Sequence, residues 1–236
     1  MTRLRILDLY CGAGLVADGL LAAGWEVVGV DLLDQPRYPG PFIKADALSL
    51  DQRFIRSFDA VWASPPCQFG TALRHAPNGK EHLNLIPATR ELLQASGLPY
   101  VIENVESPAV RACMIDPVRL CGSMFGLGVE AGGVTYQLRR HRLFETNWPL
   151  ARLECAHRSP VIGIYGGHAR NRAARAGGRG TADFVGLEKR PLMLGAMGLV
   201  DRGFTTDEIS QGVPPAFSEF IAIQLRRHIT TQRRAA

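Results

Sequence analysis

Short apolar runs alternate with amphipathic stretches through the first hundred residues of the chain. Apolar positions that recur every three or four residues predict helices over 15–23 and 85–95. Continuous apolar runs predict short buried strands over 5–10, 26–30, 43–47, 58–62 and 98–102. Strands that alternate with helices are typical of βαβ units. The pattern therefore predicts a Rossmann-like, doubly wound α/β fold with a mainly parallel sheet.

The second half of the chain has a less regular apolar pattern and more basic residues. Residues 136–145 predict one strand, on which Arg140 and Arg142 share a face with apolar side chains. Guanidinium groups on an apolar face need an anion or another acceptor. The stretch 165–180 is rich in glycine and arginine and predicts a mobile basic loop that suits phosphate contacts. Beyond it, a helix is predicted over 217–228 and a frayed basic tail over 230–236.

These patterns divide the 236 residues into three parts. Residues 1–146 are expected to form a catalytic and cofactor-binding core. Residues 147–190 would form a short basic insert. Residues 191–236 would return as a helical segment that completes the core. This length is typical of one domain with an insert.

Charge and hydropathy narrow the class of protein. The net charge is +5 and the isoelectric point is near 9.2, and the basic excess lies mostly after position 137. Such a balance favours a nucleic-acid partner. No apolar run reaches the roughly 18 residues of a membrane span. The N-terminal residues do not resemble a signal peptide, so a cytoplasmic protein with no membrane partner is expected.

The five cysteines are expected to be free thiols, because they are odd in number and form no C-x-x-C pair. Cys155 and His157 could begin a metal site. No further cysteine or histidine at a suitable spacing completes it, so no metal is expected.

The first strand leads into a turn that carries Gly12 and Gly14. Glycines there allow a ligand to approach the backbone at the start of a helix. Asp31 closes the second strand, where an acid suits a ribose diol. The third glycine position of a dinucleotide fingerprint holds Ala17, which favours an adenosine cofactor other than NAD. Asp46 could accept a hydrogen bond from an adenine amino group or serve as a loop cap.

The fourth strand ends in a rigid turn, Pro65-Pro66, followed by Cys67. Parallel α/β sheets place their chemistry at this edge, so Cys67 is a candidate nucleophile. Glu103 and Asn104 are predicted at the end of the neighbouring strand, at the same edge. Residues 68–84 show little apolar periodicity and predict a loop that could act as a lid.

Five motifs in this order resemble those of the DNA (cytosine-5-)-methyltransferases. They are Asp8 to Gly14, Ser64 to Gln68, Glu103 to Val105, Arg140 to Phe144 and Ile209 to Ile221. Each motif is short, but their order extends over nearly the whole chain. The resemblance implies an enzyme that transfers methyl groups from S-adenosylmethionine to C5 of cytosine, with double-stranded DNA as partner and a monomeric state. It implies a cofactor site at Tyr10, Gly12, Gly14, Asp31, Asp46 and Pro66.

The family's chemistry implies a role for each catalytic candidate. Cys67 would attack C6 of a flipped-out cytosine, and Glu103 would supply an acid near N3. Arg142 would hold the polar edge of the base, and Arg140 would act through Cys67 or a phosphate. Asn104 belongs to the same motif. The resemblance assigns no base for the C5 proton, for which water is a candidate.

The chain departs from the family pattern in three places. Leu138 stands where glutamine is usual, and Gln211 stands where asparagine is common. The segment 144–190, which should read the target sequence, is only about 45 residues long. A segment of that size predicts short or relaxed sequence specificity.

Two other functions stay open at this level: methylation of cytosine C5 in tRNA, and a catalytically silent relative that binds nucleic acid. Amino methylation of adenine or cytosine is disfavoured, because Cys67 occupies the position of an aromatic residue that stacks the base in those enzymes. For a DNA enzyme, the biological setting is open between a restriction–modification partner, self-protection and regulation.

Overall fold

A computed structural model describes residues 3–70, 83–158, 160–171, 182–184 and 186–235. Residues 71–82 of the predicted lid and 172–180 of the predicted basic loop lie outside the described residues. The start of that predicted loop, 165–171, is not a loop: it belongs to two antiparallel strands and the turn between them. The strands, in chain order, are β1 (Arg5–Leu9), β2 (Glu26–Asp31), β3 (Phe42–Lys44), β4 (Ala60–Ala63), β5 (Tyr100–Val105), β6 (Val118–Cys121), β7 (Gly128–Ala131), β8 (Val134–Leu138), β9 (His141–Thr146), β10 (Val161–Tyr165), β11 (His168–Asn171) and β12 (Ala182–Asp183). The α-helices are α1 (Leu15–Ala22), α2 (Gln52–Ile55), α3 (Ile86–Ser96), α4 (Pro108–Cys113), α5 (Lys189–Met197), α6 (Thr206–Gln211) and α7 (Pro215–Ala235).

Seven strands form the main sheet, in the order β3-β2-β1-β4-β5-β9-β6. All pairings from β3 to β5 are parallel, and β9 lies antiparallel between β5 and β6. Strand β9 therefore runs against the other six. The structure confirms the predicted α/β fold with a mainly parallel sheet.

Helices cover both faces of this sheet. Because successive side chains of a strand point to opposite faces, Ile6 and Leu7 of β1 enter different cores. One core lies between the sheet and helices α1 and α7. The other lies between the sheet and helices α2, α3 and α4. Burial on both faces explains why these strands read as continuous apolar runs.

A second sheet of five strands, in the order β12-β11-β10-β8-β7, packs against α5 and α6. In the sequence, β7 and β8 of this sheet precede β9, and β10, β11 and β12 follow it. The prediction of a single strand over 136–145 is therefore wrong. Strand β8 ends at Leu138 and β9 begins at His141, in different sheets, and Arg139 and Arg140 connect them. The alternation that suggested one strand is shared by two strands with a change of direction between them.

The C-terminal segment is more regular than the sequence predicts. Helix α7 continues to Ala235, past the predicted end at 228. Arg233 forms an ion pair with Asp59, and the Thr230 hydroxyl donates to the carbonyl of Arg226 over 2.8 Å. These contacts involve polar residues, which the apolar pattern does not register. Among the helices of the described ranges, none has the length and apolar character needed to cross a membrane.

Asp8 is a fully buried carboxyl group in the middle of β1. Its Oδ2 accepts a hydrogen bond from the Tyr38 hydroxyl over 3.2 Å, and its Oδ1 has no partner among the described residues. Burial raises the pKa of Asp8 to about 8, against the Tyr38 hydrogen bond, and the charge of Asp31 adds to the rise. The carboxyl group is therefore mainly neutral at pH 7.

Gly19 and Gly195 provide a test of the packing between α1 and α7. A Cβ at Gly19 would overlap the carbonyl of Pro215 and the Ser218 hydroxyl of α7, whereas one at Gly195 would meet only a Val129 methyl at 3.1 Å. We expect Gly19→Ala to lower the free energy of unfolding by about 2–3 kcal/mol through overpacking. Gly195→Ala should be nearly neutral, because a gain in helix propensity of up to about 1 kcal/mol offsets the contact. Denaturant unfolding of both variants measures the difference, and equal losses would contradict this account.

The pKa of Asp8 predicts a pH dependence of stability. Because the folded pKa exceeds the unfolded value, the folded state holds a proton that the unfolded state has released between these two values. Stability should therefore fall as pH rises through this window, by up to about 4 kcal/mol between about pH 5 and about pH 8. Asp8→Asn should remove most of this dependence and be more stable than wild type near pH 8. Asp34→Asn, at an exposed carboxylate, should keep the wild-type profile in the same unfolding experiments.

Candidate active site

The carboxyl ends of the central parallel strands are level with one another. Leu9 of β1 pairs with Val30 and with Ala63, and Ala63 pairs with Ile102. The residues that follow these positions therefore lie side by side along one edge of the sheet. They are Tyr10, Asp31, Ser64 and Glu103. The register thus brings the predicted cofactor turn and the predicted catalytic turn to the same edge.

The turn that carries Cys67 is fixed by its neighbours. The amide of Ser64 donates to the carbonyl of Leu9 over 3.1 Å, which continues the ladder from β1. Asn104 is buried on β5, and its Nδ2 donates to the carbonyl of Pro65 over 2.9 Å. Pro66 is exposed and Cys67 is half-buried. Asn104 therefore holds the proline turn, which leaves the thiol accessible at its end.

Glu103 and Arg142 form a buried ion pair beside this turn. The two residues are 6% and 9% exposed, and Arg142 Nε lies 3.0 Å from Glu103 Oε1. Burial raises the pKa of Glu103, although the charge of Arg142, a hydrogen bond with Ser64 and the charge of Arg140 act against the rise. The carboxyl group thus holds a proton more readily than an exposed glutamate, while Arg142 fixes its position.

The thiol of Cys67 is sensitive to the same charges. Burial raises its pKa, the charge of Arg142 opposes the rise, and Glu103 adds to it. Arg140 also acts to lower the pKa, more weakly. The resting thiol is therefore mainly protonated at neutral pH, and the balance between Arg142 and Glu103 decides how readily it ionises.

Arg140 occupies a different environment from Arg142. Its guanidinium is 4% exposed and donates to the carbonyl of Ser210 over 2.6 Å and to that of Gly212 over 2.5 Å. A further hydrogen bond reaches the carbonyl of Ile164 in the second sheet. Arg140 thus links the second sheet and the end of α6 to the main sheet, while its charge still acts on Cys67.

The glycine turn after β1 forms the other half of the edge. Gly12 and Gly14 both have positive φ, 50° and 84°, which favours glycine. A Cβ at Gly12 would meet no atom within 4 Å, whereas one at Gly14 would overlap Pro39. Asp31 Oδ2 accepts a hydrogen bond from the Gly12 amide over 3.0 Å. The turn therefore leaves open space above Gly12, next to a carboxylate.

Tyr10 and Asp46 lie beside this turn. Tyr10 adopts φ of 56°, which is rare for a side chain of its size, and its hydroxyl lies 2.9 Å from the Thr89 hydroxyl. Asp46 caps the short turn that follows it, where its Oδ1 accepts from the amide of Leu48 over 3.0 Å. The sequence left the cap and a ligand contact as alternatives for Asp46. The structure shows the cap, which leaves the second carboxylate oxygen available.

Two polar residues of this edge were not among the predicted site residues. Ser64 hydrogen-bonds the side chain of Glu103, and it also accepts from Trp62 Nε1 over 3.0 Å. Asp8 lies beneath the glycine turn and interacts electrostatically with Asp31. Both residues lie within motifs that resemble those of the methyltransferases, and this position was the sequence signal that could have identified them. A second signal was the presence of a charged residue, Asp8, in the middle of an apolar run.

The two departures in the later motifs have structural explanations. Leu138 is fully buried in the core of the second sheet, and Gln137 instead accepts a hydrogen bond from the amide of Arg158 over 2.8 Å. Gln211 is exposed at the end of α6. Arg140 binds the carbonyls on either side of it. The backbone of this motif, and not the Gln211 side chain, therefore makes the contact with Arg140.

Comparisons with known proteins give one sequence relative and several solved structures. The chain is 34% identical over 107 residues to a protein of Frog virus 3 described as "Probable DNA (cytosine-5)-methyltransferase". This match covers 44% of the chain and 47% of the relative, so the chain spans about half of that protein's length. No protein-family model matches the chain.

The fold has counterparts among solved structures at low sequence identity. An Escherichia coli protein described as a "putative DNA modification methyltransferase encoded within prophage" aligns with a TM-score of 0.56 at 13% identity, over 95% of this chain and 99% of that one. A variant of Spodoptera frugiperda DNMT2 aligns with a TM-score of 0.54 at 14% identity, over 96% and 99%. At such identities the likeness concerns the fold.

The motifs, the matched segment and the fold agree with one another. The main sheet carries the glycine turn, the Pro-Pro-Cys turn and the Glu-Asn-Val strand at one edge, in the order that the sequence resemblance requires. The matched relative bears the same family description. On these grounds, the chain is similar to DNA (cytosine-5-)-methyltransferases in its motifs, in one matched segment and in its fold.

Proposed function

We propose that this chain transfers a methyl group from S-adenosylmethionine to C5 of cytosine in double-stranded DNA, through a covalent bond between Cys67 and C6. One observation carries the proposal. A half-buried thiol stands at the end of β4 beside a buried carboxyl–guanidinium pair, Glu103 and Arg142. Cytosine C5 is a weak nucleophile, and such a constellation can make it a stronger one.

Cys67 performs the first step. Its thiolate forms a bond with C6, and the electron pair of the C5–C6 double bond moves toward C5 and the N3 side of the ring. Since burial raises the pKa of Cys67, the thiol must give its proton to water when the substrate binds. Arg142 favours the thiolate through its charge.

Glu103 stabilises the charge that develops on the ring. Burial raises the pKa of Glu103 and so favours the protonated carboxyl group that can donate to N3, and Arg142 holds that group in place. Asn104, the next residue of the same strand, supports the position of Cys67, because it fixes the proline turn through the carbonyl of Pro65. After methylation, the C5 proton leaves to a base, for which water is the candidate, and Cys67 is released.

The edge next to this site suits the cofactor. When bound, S-adenosylmethionine supplies an electrophilic methyl group. Asp31 and Asp46 retain acceptor capacity for ribose and adenine, and the open space above Gly12 allows close approach to the backbone. The buried Asp8 Oδ1, which has no partner among the described residues, adds a polar group beneath the turn. Tyr10 and Pro66 border the same edge and would contact the cofactor.

The substrate assignment rests on charge and on the matched relative. The chain carries a net charge of +5, which favours a polyanionic partner. The relative is described as acting on DNA. A cytosine inside a duplex must leave the base stack before Cys67 can reach it, so base flipping forms part of the proposal. The small insert favours a short or relaxed recognition sequence.

Methyl transfer is the direct test. The purified chain, with labelled S-adenosylmethionine, should place 5-methylcytosine in plasmid DNA. Nucleoside mass spectrometry identifies the product, and bisulfite sequencing gives the positions. Few specified bases around each methylated cytosine are expected. Val200→Ala, at an exposed position between α5 and α6, serves as the control variant and should keep activity.

Three outcomes would replace the proposal with another function. Label in tRNA alone would indicate a tRNA methyltransferase. N4-methylcytosine or N6-methyladenine would indicate amino methylation. DNA binding without any methyl transfer, under conditions where the cofactor binds, would indicate a catalytically silent relative.

The covalent step has a separate test. DNA that contains 5-fluorocytosine has no C5 proton to lose, so the adduct with Cys67 should accumulate and survive denaturing electrophoresis. Cys67→Ser should abolish the adduct, because a serine hydroxyl is far less ionised than a thiol at neutral pH. Cys113→Ser changes a half-buried thiol on α4 and should leave the adduct unchanged. An adduct of undiminished yield with Cys67→Ser would contradict the mechanism.

A further inference from the structure

Four potential metal ligands converge at the side of the main sheet, outside the proposed catalytic set. They are Cys121, His141, Cys155 and His157, and their ligand atoms all lie within 4.8 Å of one another. Cys121 ends β6 and His141 begins β9, and the two residues are cross-strand partners. Cys155 and His157 lie in the segment between β9 and β10. Three separate parts of the chain thus meet at this cluster.

The distances within the cluster match a tetrahedral metal site. Cys121 Sγ lies 3.1 Å from His157 Nε2, His141 Nε2 lies 3.2 Å from His157 Nε2, and Cys155 Sγ lies 3.6 Å from His141 Nε2. Ligands at zinc bond lengths in a tetrahedron are separated by about 3.4 Å for two nitrogens and about 3.6 Å for sulfur and nitrogen. The side chains therefore already lie close to the required spacing.

The orientation of His141 is set by a carboxylate outside the cluster. His141 Nδ1 lies 2.6 Å from Glu106 Oε2, so it carries the proton of the ring and Nε2 presents a lone pair to the cluster. A histidine that binds metal commonly donates its other N–H to a carboxylate in this way. Glu106 is itself held by Arg111 at 2.9 Å.

We propose that these four side chains bind one zinc ion as a closed structural site. Two thiolates and two imidazoles in tetrahedral geometry are the ligand set that zinc prefers. All four positions are filled by protein, which leaves no place for a catalytic water.

The location of the cluster gives the metal a role in positioning. His141 stands between Arg140 and Arg142, so a metal at its Nε2 would fix the start of β9 where Arg142 meets Glu103. Cys155 and His157 would attach the beginning of the insert to the same strands. The sequence alone predicted no metal because Cys121 and His141 are distant from Cys155 in the chain. The β6–β9 pairing supplies the two missing ligands.

Metal content and cobalt spectroscopy test the site without any use of enzymatic activity. The full chain, expressed with zinc and purified with reducing agent and without chelator, should contain about one zinc per molecule by mass spectrometry. After exchange, Co²⁺ should show the visible bands of tetrahedral coordination and a thiolate charge-transfer band. A chelator should lower Tm for the zinc-loaded protein.

Matched variants separate the site from general folding. His157→Gln alters the exposed ligand and should fold, while it loses most of the zinc and the cobalt spectrum. Cys121→Ser should lose the charge-transfer intensity of one thiolate. Cys113→Ser and His228→Gln change a cysteine and a histidine outside the cluster and should retain about one zinc.

Two results would overturn the proposal. The first is a wild-type protein that is folded, supplied with zinc and free of chelator, yet contains no zinc and gives no cobalt spectrum. The second is a disulfide between Cys121 and Cys155 in protein isolated with reducing agent, found by peptide mass spectrometry. Loss of methyl transfer with full metal content would bear on the proposed function alone.

Discussion

The antiparallel ladder between β5 and β9 holds the functional parts of the molecule in register. In this ladder Val105 faces Arg142 and Glu103 faces Phe144, so the side chains of Glu103 and Arg142 lie on the same face. A slip of one residue would turn Arg142 to the opposite face and leave both charges buried without a partner. Strand β9 also pairs with β6, which places Cys121 opposite His141. The two registers of β9 thus determine the candidate active site on one side and the proposed zinc site on the other.

Buried and half-buried arginines show how the structure supports this arrangement. Arg142 is matched by Glu103, and Arg90 is matched by Glu145, with Arg90 Nε 2.6 Å from Glu145 Oε1. Arg140 is matched by backbone carbonyls of the second sheet and of α6. Removal of one partner from such a pair typically costs about 3–5 kcal/mol, because the remaining charge stays buried. Arg140 therefore joins the two sheets, whereas Arg142 and Arg90 hold β9 to its neighbours in the main-sheet layer.

The chain combines a polar candidate site at one edge of the main sheet with a small second sheet. The edge contains a half-buried thiol, a carboxyl group with a raised pKa and a guanidinium that positions this carboxyl group. The second sheet has five short strands, two of which precede β9 in the sequence. A bound zinc would stiffen the junction between these parts, since its ligands come from β6, β9 and the start of the insert. Under the proposals above, recognition of DNA would then depend on few side chains attached to a rigid junction.

The sequence by itself determined the parallel part of the fold and the candidate catalytic edge. Apolar runs, glycine turns and the Pro-Pro-Cys turn are local signals, and the carboxyl ends of parallel strands must meet at one edge. The positions of Cys67 and Glu103 therefore followed from local pattern. Asp46 was foreseen only as a choice between cap and ligand contact, since a local pattern does not distinguish them.

Only the tertiary structure decided what depends on pairing between distant segments. Residues 136–145 show a single alternation of apolar and polar side chains, but they belong to two sheets. Between the two strands, the guanidinium of Arg140 donates hydrogen bonds to carbonyls that lie far along the sequence. The four metal-ligating side chains have no common spacing, and the β6–β9 register brings them together. Local propensity extends over a few residues, whereas these contacts join segments that are up to 72 positions apart. The sequence therefore showed the composition and the motifs, but it did not show the register between distant strands.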